Sequence, residues 1–160
     1  MPQRVRRRTY VDASVYGGVF DEEFDEDSRA FFDQARADRF LILTSALVTG
    51  EISGAPQEVR DLYDQVLRDA ELIQIGERAL ELQAAYLSER IVTRKWADDA
   101  LHVALASVSA ADLIVSWNFR HIVHFDKVPH YNAVNKRCGY CELAIHSPSE
   151  VIAYEDEEEV

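Results

Sequence analysis

The chain has 160 residues, and its 29 acidic and 17 basic side chains give a formal net charge of −12 at pH 7. This charge argues against an ordinary nucleic-acid-binding protein, which contacts phosphates through an excess of Lys and Arg, but it leaves a nuclease open. Hydrophobic residues make up 48% of the chain. They fall in short blocks, far below the roughly 20 apolar residues of a membrane span, and no signal segment opens the chain. We therefore expect a cytoplasmic protein without membrane contact, with one domain over residues 1–154 and an acidic tail at 155–160.

Short apolar blocks rich in branched residues alternate along the chain with stretches of helical periodicity. The blocks predict strands at 9–12, 40–44, 72–75 and 113–116, with an edge strand at 142–146. The periodic stretches predict helices at 28–37, 44–52, 56–70, 77–91, 97–110 and 133–138. Such alternation favours a three-layer α/β/α fold around a central, mostly parallel sheet of four to five strands.

Two polar residues follow predicted strands. Asp12 ends the first strand, so we expect it at the carboxyl edge of the sheet, where open α/β sheets bind ligands. An Asp that only caps the next helix is the structural alternative. Asn118 comes two residues after the fourth strand and can approach the same edge, whereas Asp112 begins that strand and is expected at the opposite edge as a turn residue.

Further acidic residues lie on helices. Glu51 falls on the side of its helix that should face the protein, although a surface acid is the simpler interpretation. Asp98 and Asp99 occupy the first turn of an alanine-rich helix, where free N–H groups favour negative charge, and one of them can point inward. On the same helix, we expect His102 to pack or to form a hydrogen bond.

Several oxygen ligands that converge on one sheet edge repel one another unless a cation neutralises them. Hard oxygen donors suit Mg²⁺ or Mn²⁺ better than zinc.

The pair Cys138 and Cys141 has CxxC spacing and could bind zinc together with His130 and His146, but two reduced cysteines are the simpler interpretation.

In order and spacing, four motifs of the sequence resemble those of a PIN domain, the nuclease fold of VapC-type toxins. The motifs are YVDAS at 10–14, Glu51 after the second strand, DALHVALA at 99–106 and SWNFRHI at 116–122. The resemblance implies a ribonuclease that depends on Mg²⁺ or Mn²⁺, with Asp12, Glu51 and Asp99 as the metal-binding acids. It also favours a homodimer. The chain departs from the motif at His121, where many PIN toxins have Asp, so the number of metal ions stays open.

These residues suggest hydrolysis of an RNA phosphodiester, with Mg²⁺ or Mn²⁺ held by Asp12 and Asp99. In this hypothesis Glu51 orients or deprotonates the attacking water and Asn118 orients a water or the scissile phosphate. The protein could be the toxin of a toxin–antitoxin pair. The alternative is a catalytically weak or inactive PIN-fold protein that binds an antitoxin-like partner. A haloacid-dehalogenase-type phosphohydrolase ranks last, since Ser14 stands where that family has a second Asp.

The side chains that could contact an RNA substrate have weaker sequence signals than the acidic residues. The basic groups that could contact RNA are Arg6 to Arg8, Arg94, Lys95 and Arg120, although each could be an ordinary solvated cation. Trp96 and Trp117 could stack on bases, but tryptophans more often fill a core or a subunit surface.

Overall fold

A computed structural model describes residues 5–154 and contains five strands and eight α-helices in that range. The predicted acidic tail at 155–160 lies outside the described residues. The strands are β1 (Arg7–Val11), β2 (Phe40–Ser45), β3 (Glu71–Ile73), β4 (Leu113–Val115) and β5 (Ala144–His146). The helices are α1 (Ala13–Gly18), α2 (Asp25–Arg36), α3 (Ala46–Ser53), α4 (Gln57–Leu67), α5 (Glu77–Ser88), α6 (Ala97–Val108), α7 (Val128–Arg137) and α8 (Pro148–Val151). Among these helices, none combines the length and the apolar character needed to cross a membrane.

The five strands form one parallel sheet in the order β3-β2-β1-β4-β5. From β1 the chain moves outward through β2 to β3, then returns past β1 to β4 and β5. Right-handed crossovers therefore place the helices before β3 on one face and α5 to α7 on the other. The predicted three-layer α/β/α fold with a parallel sheet is confirmed. The strand order reverses between β1 and β4, and such a switch point is where open sheets bind ligands.

The central strands are apolar because helices cover both of their faces. Tyr10 and Val11 of β1 and Ile114 and Val115 of β4 are fully buried. In contrast, the edge strand β3 is largely exposed, and Leu72 shows 60% of its surface. Parallel strands that are covered on both sides form continuous apolar runs, which explains why the sequence revealed β1, β2 and β4 so clearly.

Small side chains let α6 sit close to the sheet. Its residues from Ala100 to Ser107 are all buried, and it packs against α5. Four of the twelve residues of α6 are alanines, in a sequence ADDALHVALASV. This close packing brings the first turn of α6, with Asp98 and Asp99, to the region of the switch point.

Trp117, just after β4, locks the first two helices in place. Its Nε1 donates a hydrogen bond to Ser28 Oγ at 2.8 Å, and its ring stacks on Phe24 at a centroid distance of 4.3 Å. A Cβ atom at Gly18 would lie 2.6 Å from Ser28 Oγ and 2.8 Å from Trp117 Nε1, so this close approach requires glycine. Trp117 is therefore a packing residue, and base stacking by Trp117 stays a prediction.

Several predicted helix boundaries were wrong. Helix α5 ends at Ser88, not at 91, because Arg90 adopts a left-handed conformation with φ of 57°. Helix α7 begins at Val128, not at 133, with a proline in its first turn, which is a favourable position for proline. Helix α1 was not predicted, because it is only six residues long and contains the Gly17-Gly18 pair.

The core contains one matched pair of tyrosines that tests the cost of a buried hydroxyl. Tyr16 is fully buried and its hydroxyl has no hydrogen-bond partner among the described residues. The hydroxyl of Tyr63, by comparison, lies 2.8 Å from Thr44 Oγ1 and 2.7 Å from Thr49 Oγ1. An unsatisfied buried polar group costs roughly 1–3 kcal/mol.

We expect Tyr16→Phe to leave the free energy of unfolding unchanged or to raise it, by up to about 1–3 kcal/mol, because it removes an unpartnered hydroxyl. The control Tyr63→Phe should lower the same free energy by about 1–3 kcal/mol, because it leaves the Thr44 hydroxyl unpaired. Urea unfolding of both variants measures the difference. A larger loss for Tyr16→Phe than for Tyr63→Phe would contradict this account of the core.

Candidate active site

Asp12 lies at the carboxyl end of β1 and is held by two serine hydroxyls. Ser14 Oγ donates to Asp12 Oδ1 at 2.6 Å and Ser116 Oγ donates to Asp12 Oδ2 at 2.9 Å. Only 5% of Asp12 is exposed, and its side chain makes no capping hydrogen bond to α1 within the described chain. The helix-capping alternative for Asp12 is therefore wrong. The hydrogen bond from Ser116 joins the ends of β1 and β4.

The same serines organise the segment that follows β4. The backbone N–H of Trp117 donates to Ser14 Oγ and that of Asn118 donates to Ser116 Oγ, both at 2.9 Å. In turn, Asn118 Oδ1 accepts a hydrogen bond from the backbone N–H of His121 at 2.9 Å. Each serine thus accepts from the backbone and donates to Asp12, which fixes Asn118 beside the carboxylate as the sequence predicted.

Glu51 is coupled to the core through a buried histidine. His102 Nε2 lies 2.5 Å from Glu51 Oε1, and His102 Nδ1 lies 2.7 Å from the Tyr10 hydroxyl, which is 2.9 Å from Ser45 Oγ. His102 is 1% exposed, whereas the Glu51 side chain is 39% exposed. The hydrogen bond predicted for His102 is confirmed, and Glu51 is a surface acid whose carboxylate is anchored from below.

The first turn of α6 separates its two acids. Asp98 is exposed and Asp99 is partly buried, so Asp99 is the one that points inward. Burial raises the pKa of Asp99, against the attraction of His121, then of His102 and of the Asn118 side chain, while Glu51 adds repulsion. Asp99 therefore interacts with groups from both sides of the switch point.

Burial also raises the pKa of Asp12, against the attraction of His102 and the hydrogen bonds from Ser14 and Ser116. Glu51 adds repulsion to Asp12 as it does to Asp99. Residues far apart in the chain thus form one electrostatic cluster at the carboxyl edge of the sheet. We call Asp12, Glu51, Asp99 and Asn118 the acidic cluster.

His102 is the principal positive partner within this cluster. Although burial opposes protonation, the hydrogen bond to Glu51 and the charges of Asp12, Glu51 and Asp99 raise the pKa of His102 above its ordinary value. A protonated His102 donates to Glu51, and its second N–H then points at the Tyr10 oxygen. The histidine thereby balances part of the charge that the buried carboxylates bring together.

The acidic cluster offers oxygen ligands for a divalent metal ion but no preformed group of three. Within residues 5–154, no three or more His, Cys, Asp or Glu side chains are arranged as a group that could hold a metal ion. The oxygen donors nevertheless suit a divalent metal ion. Asp12 is a buried carboxylate and Asp99 a partly buried one, and the protein only partly offsets their charge. A Mg²⁺ ion that keeps most of its waters needs only one or two direct carboxylates. The set of three direct ligands stays a prediction.

Cations surround Trp96 next to this cluster. Trp96 belongs to a short 3₁₀ helix, Arg94–Trp96, that leads into α6. The His121 ring stacks on Trp96 at 4.4 Å, Lys95 Nζ lies 5.1 Å from the Trp96 ring centroid, and Arg120 Cζ lies 5.6 Å from it. We call Lys95, Trp96 and Arg120 the basic platform. Two of the cations predicted near the site therefore share one aromatic ring.

Other predicted residues lie at the opposite edge of the sheet. The backbone N–H of Arg8 donates to Asp112 Oδ2 at 2.8 Å, and its guanidinium forms an ion pair with Glu71 at 3.1 Å. Asp112 is a turn residue at that edge, as predicted, and Arg8 is paired there, on the side of the sheet opposite Asp12. Arg6 lines a cavity of about 390 Å³ near the start of β2, away from the acidic cluster. Both Cys138 and Cys141 are exposed and unpaired.

The sequence did not identify Tyr10 and Ser45 as parts of the site. Tyr10 precedes Asp12 by two residues on one strand, so their side chains share a face of the sheet, which was a usable signal. Ser45 caps α3, and its hydroxyl accepts from the Val48 N–H at 3.5 Å. Its second role, the hydrogen bond to the Tyr10 hydroxyl that contacts His102, has no signature in the sequence.

Comparison with known proteins gives likenesses of structure alone. No family model and no curated protein matches the sequence. A chain of the VapBC2 complex from Rickettsia felis bound to a fragment of its promoter DNA is 14% identical, with a TM-score of 0.53 over 71% of this chain and 89% of that one. A chain of a toxin–antitoxin complex from Klebsiella pneumoniae is 15% identical, with a TM-score of 0.56 over 74% and 93%. This chain has a PIN-like fold. The fold that the sequence motifs implied is confirmed, and in this PIN-like fold the acidic cluster lies at the switch point of the sheet.

Removal of one buried carboxylate tests the charge of this PIN-like site. Because burial raises the pKa of Asp99 above its ordinary value of 3.8, the folded state binds that proton more tightly than the unfolded chain does. The metal-free protein therefore loses stability as the pH rises from 3.8 through the raised value. Without divalent ions, Asp99→Asn should unfold at a higher temperature than wild type at pH 7, and this gap should close on acidification.

Thermal unfolding from pH 7 down to pH 4 measures the gap, with Asp98→Asn as the exposed neighbour that should show none. Added Mn²⁺ should raise the unfolding temperature of the wild type and of Asp98→Asn but not that of Asp99→Asn. A gap that widens toward low pH would contradict the assignment.

Proposed function

We propose that the protein is a metal-dependent ribonuclease that hydrolyses RNA phosphodiester bonds with Mg²⁺ or Mn²⁺. The observation that carries this proposal is the clamped carboxylate of Asp12, which shares one electrostatic cluster with Glu51 and Asp99 at the switch point of a PIN-like sheet. Burial of such carboxylates is costly unless a cation or substrate compensates for it. Perturbed acids at a ligand-binding edge are typical of catalytic sites.

In this proposal Asp12 and Asp99 hold the ion, which supplies charge stabilisation at the phosphate and lowers the pKa of a water. Glu51, fixed by His102, orients the attacking water and accepts its proton. Water oxygen forms the new bond to phosphorus, the bond to the leaving oxygen breaks, and that oxygen takes up a proton. Because Asn118 uses its Oδ1 for the backbone of His121, its amide N–H₂ is the group that faces Asp99 and, in this proposal, also donates to a phosphate oxygen.

The basic platform gives an acidic protein a local contact for the RNA backbone. A net charge of −12 repels nucleic acid over most of the surface. Lys95 and Arg120 both lie against Trp96. The Trp96 ring also stacks on His121, which lies three residues after Asn118. Substrate phosphates that bind here would lie next to Asp99 and Asn118. This placement supports single-stranded RNA as the substrate, since a splayed chain can follow both features.

We further propose that the protein acts as the toxin of a toxin–antitoxin pair in the cytoplasm, as a homodimer that binds an antitoxin protein. The support is the structural likeness to chains of toxin–antitoxin complexes from two organisms.

One observation favours the second candidate function, a catalytically weak protein that only binds such a partner. Among the described residues no group of three acids or histidines is preformed for a metal, and His121 stands at the fourth acidic position.

Cleavage of a fluorescent single-stranded RNA in Mn²⁺ separates the two candidates. We expect Asp12→Asn and Asp99→Asn each to lower the rate about 100-fold or more, since each removes charge stabilisation of the transition state. Asp98→Asn, one residue away and exposed, should keep the wild-type rate. A wild-type rate no higher than that of Asp12→Asn would exclude the nuclease and favour the binding protein.

The basic platform is tested separately. Arg120→Ala should weaken RNA binding and reduce the slope of log K against log salt by about 1, because one phosphate contact is lost. The measurement is fluorescence anisotropy with Ca²⁺ or without divalent ions, so that no cleavage occurs. Arg60→Ala on α4 removes an exposed cation elsewhere and should change neither quantity. Equal effects of the two variants would show that Arg120 acts through net charge alone.

A further inference from the structure

His121 is buried without any partner for its ring. It is 8% exposed, and neither Nδ1 nor Nε2 forms a hydrogen bond within residues 5–154. Buried polar side-chain atoms nearly always have a partner, so an imidazole with two free nitrogens requires an explanation. A bound metal ion, or a water molecule held by that ion, is one of the few chemical explanations.

The rest of His121 is held firmly. Its backbone N–H donates to Asn118 Oδ1 at 2.9 Å and its backbone C=O accepts from the Tyr131 hydroxyl at 2.7 Å. The ring stacks on Trp96 with an interplanar angle of 27°. Three independent contacts thus fix the backbone and the ring plane, and none of them uses a ring nitrogen. This arrangement presents a lone pair at a fixed place.

The free imidazole lies in the field of the acidic cluster. His121 is the leading group that opposes the effect of burial on the Asp99 pKa, ahead of His102. The ring stacks on Trp96, the residue that directly precedes α6, and Asp99 lies in the first turn of that helix. The structure therefore brings one carboxylate oxygen donor and one nitrogen donor to the same part of the sheet edge.

We infer that His121 is a nitrogen ligand to the divalent ion that Asp99 binds, and that this ligand makes the site select Mn²⁺ over Mg²⁺. The inference rests on the proposed function and deepens it. Mg²⁺ prefers hard oxygen ligands, whereas imidazole suits the transition metals.

Electron spin-echo modulation of Mn²⁺ bound to the full-length protein tests the ligand directly. We expect modulation from a directly bound ¹⁴N nucleus in the wild type and its loss in His121→Phe, which keeps the stacking on Trp96. His130→Phe removes an exposed histidine and should keep the signal. Modulation that persists in His121→Phe would assign the nitrogen to another histidine and overturn the inference.

Titration calorimetry with Mn²⁺ and Mg²⁺ tests the selectivity. His121→Asp should lower the ratio of the two dissociation constants, Mg²⁺ over Mn²⁺, about tenfold or more, through tighter Mg²⁺ binding. An unchanged ratio would overturn the inference. Unfolding temperatures in chelator show whether each variant folds, and if His121→Phe does not, the wild-type spectrum still decides, because absent ¹⁴N modulation excludes His121 as a ligand.

The outcomes separate this inference from the function on which it rests. If the wild type binds Mn²⁺ and cleaves RNA but shows no nitrogen coupling, the ribonuclease stands and the His121 ligand is excluded. If the wild type binds neither ion, the metal-dependent ribonuclease and the inference fail together.

Discussion

The clamp on Asp12 is the interaction on which the rest of the site depends. Two hydroxyls, one from the start of α1 and one from the end of β4, each donate to this carboxylate and each accept a backbone N–H from the segment after β4. A serine has one proton to donate and two lone pairs, so the clamp uses the proton and one lone pair of each serine. Because the clamp is completed in the folded chain, it preorganises the carboxylate and the path of Asn118 before any ligand arrives.

The parts of the fold that follow from short-range patterns were visible in the sequence. The buried strands around Tyr10 and Ile114 and the alanine-rich α6 could be predicted, because continuous apolar runs and helical periodicity are local properties. Helix ends were less accessible, since the early end of α5 depends on a left-handed Arg90 that the residue type disfavours. The early start of α7 was missed as well, although the proline in its first turn is a favourable helix-start signal.

The candidate site divides in a similar way. Asp12 and Asn118 could be placed at one sheet edge from topology alone, since parallel strands end on the same side, whereas Asp99 was singled out only through the resemblance to PIN motifs. The partners of these residues could not be placed. The chain from Ser45 through Tyr10 and His102 to Glu51 joins residues up to 92 positions apart, and such contacts depend on packing that no single pattern encodes. The open ring of His121 also emerges only when its surroundings are known.

The role of Trp117 has a consequence for how this protein can evolve. The indole ring of Trp117 fills the contact between α1 and α2, and the backbone N–H of the same residue completes the serine clamp. The packing of this side chain therefore also fixes the position of a backbone group that the site uses. A lineage that abandoned catalysis could discard Asp99 or Glu51 freely, yet it would retain the Gly18, Ser28 and Trp117 trio for its fold. Degenerate members should thus be recognisable by an intact tryptophan beside missing acids.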